Sequence, residues 1–139
     1  MSNDTFWRVQ TALYSHLTQN SALCALLAAG AGSIYDDVPR DAAFPYIVIG
    51  AMQAQPAHTQ QYSGYDVTVT LHCYSRGEGQ REVKNILFAL GHAMQNGNIS
   101  PAEHHVALCT EISSACAIET DGETRHGRAE YRLTVEPVC

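Results

Sequence analysis

The residues most able to do chemistry gather near the end of the chain, in the stretch TDGETRHGR (Thr120–Arg128) that runs directly into AEYRLTVEP. Asp121, Glu123, Arg125, His126 and Arg128 crowd around Gly122 and Gly127. Acids, a histidine and guanidinium groups at that density could serve general acid–base catalysis or hold an ion. The same composition also describes a polar turn that feeds a strand, with Asp121-Gly122 making a tight bend and Gly127 releasing the chain.

Other chemistries lack their spacing. The chain carries seven histidines and five cysteines, but a structural zinc site draws on close pairs such as C-x2-C, and none is present. Cys109 and Cys116 stand an odd number of residues apart, so a regular strand points them to opposite faces unless a bulge intervenes. His104 and His105 are adjacent and point apart if extended. Ser63 in QYSGYD precedes a strand-like run rather than a helix, so it is not a G-x-S-x-G elbow. GEGQ (residues 77–80) lacks both G-x-G-x-x-G and a following GK[ST], so it is no phosphate loop. The residues thus predict neither an enzyme nor a cofactor or metal site.

With 139 residues, 45% of them hydrophobic, the chain suits one domain spanning 1–139 with a real core. No apolar run approaches the ~20 residues that cross a bilayer, which predicts no membrane association. MSNDTFWRVQ has neither the basic nor the apolar region of a signal peptide, so the expected compartment is a cytoplasm. An odd cysteine count fits reduced thiols there. Cys24 and Cys73 lie in apolar surroundings where cysteine acts as a small hydrophobe, and Cys139 is terminal. The net charge is −6, from 8 basic against 14 acidic residues, and Lys84 is the single lysine. A protein that grips phosphates needs a basic face. An acidic surface instead lets a polyanion pass without sticking.

The elements that position these residues follow from periodicity. Phe6, Val9, Leu13 and Leu17 repeat near 3.6 and predict a helix capped by Asp4 or Thr5. Ser21 is expected to cap a second, shorter helix through ALCALLAA, ended by Gly30 and Gly32. SIYDDV reads as a short extended piece, and PRDAAFP as a loop. Tyr46–Ile49 reads as a buried strand beginning after Pro45. AQPAHTQQYSG is polar and predicts an exposed connection. Val67, Val69, Leu71 and Cys73 then alternate strictly with Asp66, Thr68, Thr70 and His72. Val83, Ile86, Leu87, Leu90 and Met94 form one helical stripe, ended by QNGN. His105–Ile118 reads as a long irregular strand. In the last strand Ala129, Tyr131, Leu133 and Val135 take one face, and Arg128, Glu130, Arg132, Thr134 and Glu136 the other.

The order α-α-β-β-β-α-β-β, without regular βαβ alternation, predicts an α+β fold: a mainly antiparallel sheet with helices packed on one face. The charged face of the last strand, with Glu130, Arg132 and Glu136, reads first as a solubilising surface. A sharper reading is a contact between subunits whose charges set register and partner.

ALYSHL, IYDDVPRDAAFPYIVIG, GYDVTVTLHCYSR with EVKNILFAL, and ETDGETRHGRAEYRLTVE together resemble the tail-completion (tail-terminator) proteins of long-tailed bacteriophages and of phage-derived gene transfer particles. The resemblance runs from about Thr11 to Glu136 and rests on the order and spacing of short structural motifs. It implies a structural virion protein that caps the head-proximal end of the tail tube, stops tube polymerisation and joins tail to head. The implied partners are further copies of itself in a ring of six, the tail tube protein, and a neck or head-completion protein, with DNA passing unbound through the lumen. Such a protein is expected in the bacterial host cytoplasm during assembly and then at the tail–head junction of the virion. The family has no catalytic residues to transfer. The residues expected at interfaces are Gln55, His58, Gln60 and Gln61, then Asp121, Glu123, Arg125 and His126, then Glu130, Arg132 and Glu136. Two other readings compete: a head–tail adaptor or minor tail protein of the neck and, more remotely, a metal- or thiol-dependent enzyme.

Overall fold

A computed structural model describes residues 4–58, 63–95 and 99–137. Helix α1 (Asp4–Thr18) and the single turn α2 (Ser21–Cys24) lead through a 3-10 turn at Gly30–Ser33 into strand β1 (Ile34–Tyr35). Strands β2 (Tyr46–His58) and β3 (Ser63–Ser75) precede helix α3 (Arg81–Gln95), and β4 (His104–Ile118) and β5 (Arg125–Pro137) complete the chain. The sheet has the order β1-β2-β3-β5-β4. Among the described residues only the β1–β2 pair is parallel; β2–β3, β3–β5 and β5–β4 are antiparallel. This is the expected α+β class and element order.

The periodic residues become the core. Val9, Leu13 and Leu17 of α1 are buried, as are Val83, Ile86, Leu90 and Met94 of α3. They meet the buried faces of β2 (Ile47, Ile49), β3 (Val67, Val69, Leu71, Cys73) and β5 (Ala129, Tyr131, Leu133, Val135) in one cluster. Each fully buried side chain of this size contributes about 1.5–3 kcal/mol relative to exposure. Burial pushes the Cys73 thiol up to about 12, so it stays protonated and acts as packing.

Polar contacts join the layers. The Arg8 guanidinium of α1 donates to the Glu103 carboxylate at 2.6 Å, just ahead of β4. His16 of α1 lies 2.7 Å from the Ala93 carbonyl in the last turn of α3. At the other end of α3, buried Ser75 donates to the Glu82 carboxylate and accepts from the Gly77 amide at 3.2 Å. That contact fixes how β3 turns into the helix.

Four local expectations are corrected. Thr5 is buried inside α1 rather than at its cap. Asn20, not Ser21, caps α2, its side chain accepting from the Leu23 amide at 3.0 Å. The helix then stops after Cys24, well short of Gly30. The polar stretch expected as a connection is mostly strand: β2 continues to His58 and β3 resumes at Ser63, with Gln55 opposite Asp66 and Pro56 opposite Tyr65. Hydrophobic alternation fades there because the hairpin outruns the helical layer, while backbone pairing continues.

Gly127 also has a different role. It lies inside β5, and a Cβ placed there would sit 2.6 Å from Cys73 Sγ and 3.0 Å from carbons of both Leu87 and Val83. The absent side chain lets α3 press against the sheet. Gly127→Ala is therefore expected to destabilise by about 1–3 kcal/mol through overpacking, read as a lower urea midpoint. Tyr131 is fully buried and, among the described residues, its hydroxyl makes no hydrogen bond of good geometry, with the Glu111 side chain its nearest polar neighbour across β4 and β5. Tyr131→Phe removes that desolvated group, and stability should hold or rise by up to about 1 kcal/mol in the same measurement.

Candidate functional site

The helices cover one face of the sheet, so the other face and the strand ends are left for function. The β4–β5 turn stands at one end. Gly122 takes a left-handed φ of 75°, and its amide donates to the Glu119 carbonyl at 3.0 Å. The Asp121 carboxylate accepts from the Glu123 amide at 2.9 Å, the Thr124 amide at 2.8 Å and the Thr124 hydroxyl at 2.7 Å. These bonds hold its pKa down at about 2, the Thr124 bonds counting most. The carboxylate is thus committed as a turn-former and is a poor general base.

Arg76, just after β3, ties this turn to the rest of the sheet. Its Nε donates to the Thr124 hydroxyl at 3.1 Å, and its guanidinium lies 4.2 Å from the centre of the Phe44 ring. A ladder of rings then crosses the sheet: Phe44, Tyr46, Tyr74, His126 and His72, with successive centroids 5.0, 5.3, 4.6 and 5.0 Å apart. Within it His72 Nδ1 and His126 Nε2 are 2.8 Å apart, and His126 Nδ1 lies 2.9 Å from Glu119 Oε1. Burial, then the neighbouring His126 and Arg128, push the His72 pKa down. The line Glu119–His126–His72 joins the turn to β5 and β3, and its geometry suits holding three segments in register.

The rest of the open face is polar and partly paired. His105 of β4 bridges to Glu136 of β5 at 3.0 Å, and Thr134 donates to Asp66 at 2.9 Å. Arg128 and Arg132 are exposed between them, and Glu130 is half-buried. The opposite end of the sheet carries the β2–β3 hairpin, where exposed Gln55 stands opposite Asp66 and His58 pairs with Ser63. Gln60 and Gln61 lie outside the described residues.

The residues named from sequence therefore separate into three places. Asp121, Glu123, Arg125 and His126 occupy one strand end, Gln55 and His58 approach the other with Glu136 beside Gly64, and Glu130 and Arg132 lie between them on β5. Arg125 turns inward among its neighbours: its Nη1 donates to the Glu123 carbonyl, and its Nε is buried without a partner. Sequence reasoning missed the ring ladder. Its signal was His72 and Tyr74 alternating with Leu71 and Cys73, since aromatic rings on the polar face of a strand mark a second packed surface. Cys109 and Cys116 also depart from expectation. A register shift between Glu111 and Ser113 brings both onto the helix-facing side, opposite Leu133 and Gly127. Among the described residues no three His, Cys, Asp or Glu side chains converge as a metal cluster.

Residues 11–136 match the family model described as Tail completion protein gp17. No curated protein sequence matches the chain. The fold is similar to that of a chain in the solved virion of a native gene transfer agent (GTA) particle. The TM-score is 0.80 at 18% identity, covering 91% of this chain and 93% of that one. At this identity the likeness speaks for the fold alone.

The ring ladder has a measurable pH consequence. His72 has a folded pKa below its ordinary 6.5, so below that value the unfolded chain binds more protons and stability falls as pH falls. The urea midpoint should drop between about pH 7 and pH 5, from the ordinary histidine range downward. His72→Gln should flatten that slope.

Proposed function

The chain belongs to the tail completion protein family, and we propose that it closes the head-proximal end of a phage-type tail tube as a homo-oligomeric ring, most simply a hexamer. The family match, which spans nearly the whole chain, is the observation that carries this reading. Tail completion is structural work, in which one surface must fit the finished tube and another must accept the neck below the capsid.

The geometry supports that division. The β2–β3 hairpin and the β4–β5 turn stand at opposite ends of the same long strands, since Ser63 and His58 close one end while Ser75, Arg125 and Ile118 align at the other. With the strands running along the ring axis, each ring face presents one of these loops. Gln55 and the hairpin that carries it then serve one axial partner, and Asp121, Glu123 and His126 the other. The pinned turn suits such a contact because its shape is set before binding, which lowers the entropy lost on docking. Glu130 and Arg132 lie on the open face between the two ends, and Glu136 stands beside Gly64 at the hairpin end. The net charge of −6 suits a lumen through which DNA slides without being held. Among the described residues no helix is long and apolar enough to cross a membrane.

Immunogold electron microscopy of source particles, with antibody against this chain, should place label at the tail–head junction. Label confined to the portal would favour an adaptor, and particles without label would remove the structural role. Variants that introduce charge at Gln55 and His58 at one strand end, or reverse it at Glu123 at the other, should then separate the two attachments. One set is expected to give overlong tails through failed capping, and the other normal-length tails without heads. Identical phenotypes from both sets would contradict the division of labour.

A further inference from the structure

The two outer edges of the sheet carry an inference that rests on the ring reading and deepens it. β4 is 15 residues long, forms one edge of the sheet and pairs with β5 on one side. Bare edges of this length are ordinarily blunted by lysine, proline or inward-pointing charge, because their free N–H and C=O groups invite pairing. From Val106 to Ile118 the strand has no lysine and no proline, and Glu111 is its one charged residue. Leu108, Ile112 and Ile118 are 60%, 41% and 50% exposed. The register shifts near Ala107 and Ile112 interrupt the ladder only locally.

The other edge is also uncharged, although it carries one blunting residue, Pro56, and a register shift between Ile49 and Met52. β1 covers β2 only at Ile47 and Val48, so the rest of β2 has no partner on that side among the described residues. From Ile49 to Ala57 it carries no charged residue. Among the described residues both edges are therefore long, nearly uncharged and, beyond the β1 contact, unpaired.

Direction and level make them complementary. Because β2, β3, β5 and β4 are successively antiparallel, β4 and β2 run in opposite directions. Copies placed side by side in the same orientation bring β4 of one beside β2 of the next as an antiparallel pair. The registers also fix height across the sheet. Gln53 stands level with Thr68, Arg132 and Thr110, and Pro56 with Tyr65, Val135 and Val106. A joint without axial shift, the condition for a flat closed ring, thus sets the free part of β2 against Val106–Ser114 of β4. The β1-covered part of β2 is level instead with Cys116, through Ile47, Cys73 and Gly127.

We propose that the outer edge of β4 in one copy hydrogen-bonds to the free edge of β2 in the next, so that the sheet runs without a break around the ring. The joint is heterologous, as cyclic closure demands. It places no like charges opposite each other, and the backbone supplies its affinity.

Cysteines at Gln53 and Thr110 test it. Within one copy these positions are three strand spacings apart, about 14 Å, whereas across the joint they become neighbours. The doubly substituted protein, with and without tail tubes, is treated with a short bismaleimide and examined by denaturing gel and native mass spectrometry. The expected result is a ladder of covalent multimers ending at the ring, absent from Q53C and T110C alone and from the native protein. Rings that form without the ladder, or a cross-link to the tube protein instead, overturn the joint while leaving the ring reading intact. Absence of any ring, in solution or on tubes, overturns both. As a second measure, Ile112→Lys should lower ring yield at least tenfold with the monomer's urea midpoint unchanged. Undiminished rings in that variant would also count against the edge pairing.

Discussion

The contact on which the structure depends is the close approach of α3 to the sheet over Gly127. A helix normally rides at a distance set by the side chains between it and the strands. Here β5 offers a position with no Cβ, and Cys73, Val83 and Leu87 fill the space. The third helix is thereby seated on β3 and β5, and the α1 contacts through Arg8 and His16 to Glu103 and the Ala93 carbonyl lock the helical layer against that seat. Since all the helices lie on one side, the opposite face, both strand ends and both sheet edges stay available. A protein that must touch neighbours on several sides gains those surfaces from a core concentrated on one.

Rigidity at the exposed end comes from a different source. The β4–β5 turn has little hydrophobic material to anchor it. Its shape depends on a carboxylate that accepts three hydrogen bonds, an arginine laid over Phe44, and a run of rings in contact from Phe44 to His72, stacked at Tyr74, His126 and His72. Asp121, Arg125 and His126 are engaged in local hydrogen bonds and ion pairs. A tail-completion role is consistent with this use of charge, because docking to a tube or neck rewards a surface already fixed in shape.

Much of this was legible in the residues. The alternation in β3 and β5 and the stripe in α3 named over half of the buried core, because burial against a single layer imposes a period on the chain. Asp121-Gly122 was readable as a bend because its conformation is local. The errors share one physical origin. The β2–β3 hairpin looked like a loop because its strands extend past the helices, where no hydrophobic face is required. Whether Cys109 and Cys116 share a face turned on a bulge, which adds one residue without leaving a mark in composition.

By itself, then, the sequence determined the element types, the core residues and the class of fold, since these follow from periodicity and local backbone chemistry. It also determined, through the order of its motifs, the family to which the chain belongs. Only the tertiary structure decided that Gly127 is a seat for a helix, that His72 and His126 meet, and that the two loops sit at opposite ends of one sheet. The same holds for the edges of β2 and β4. Strand order and register depend on contacts between residues far apart in the chain, and no local pattern encodes which strands are left without a neighbour.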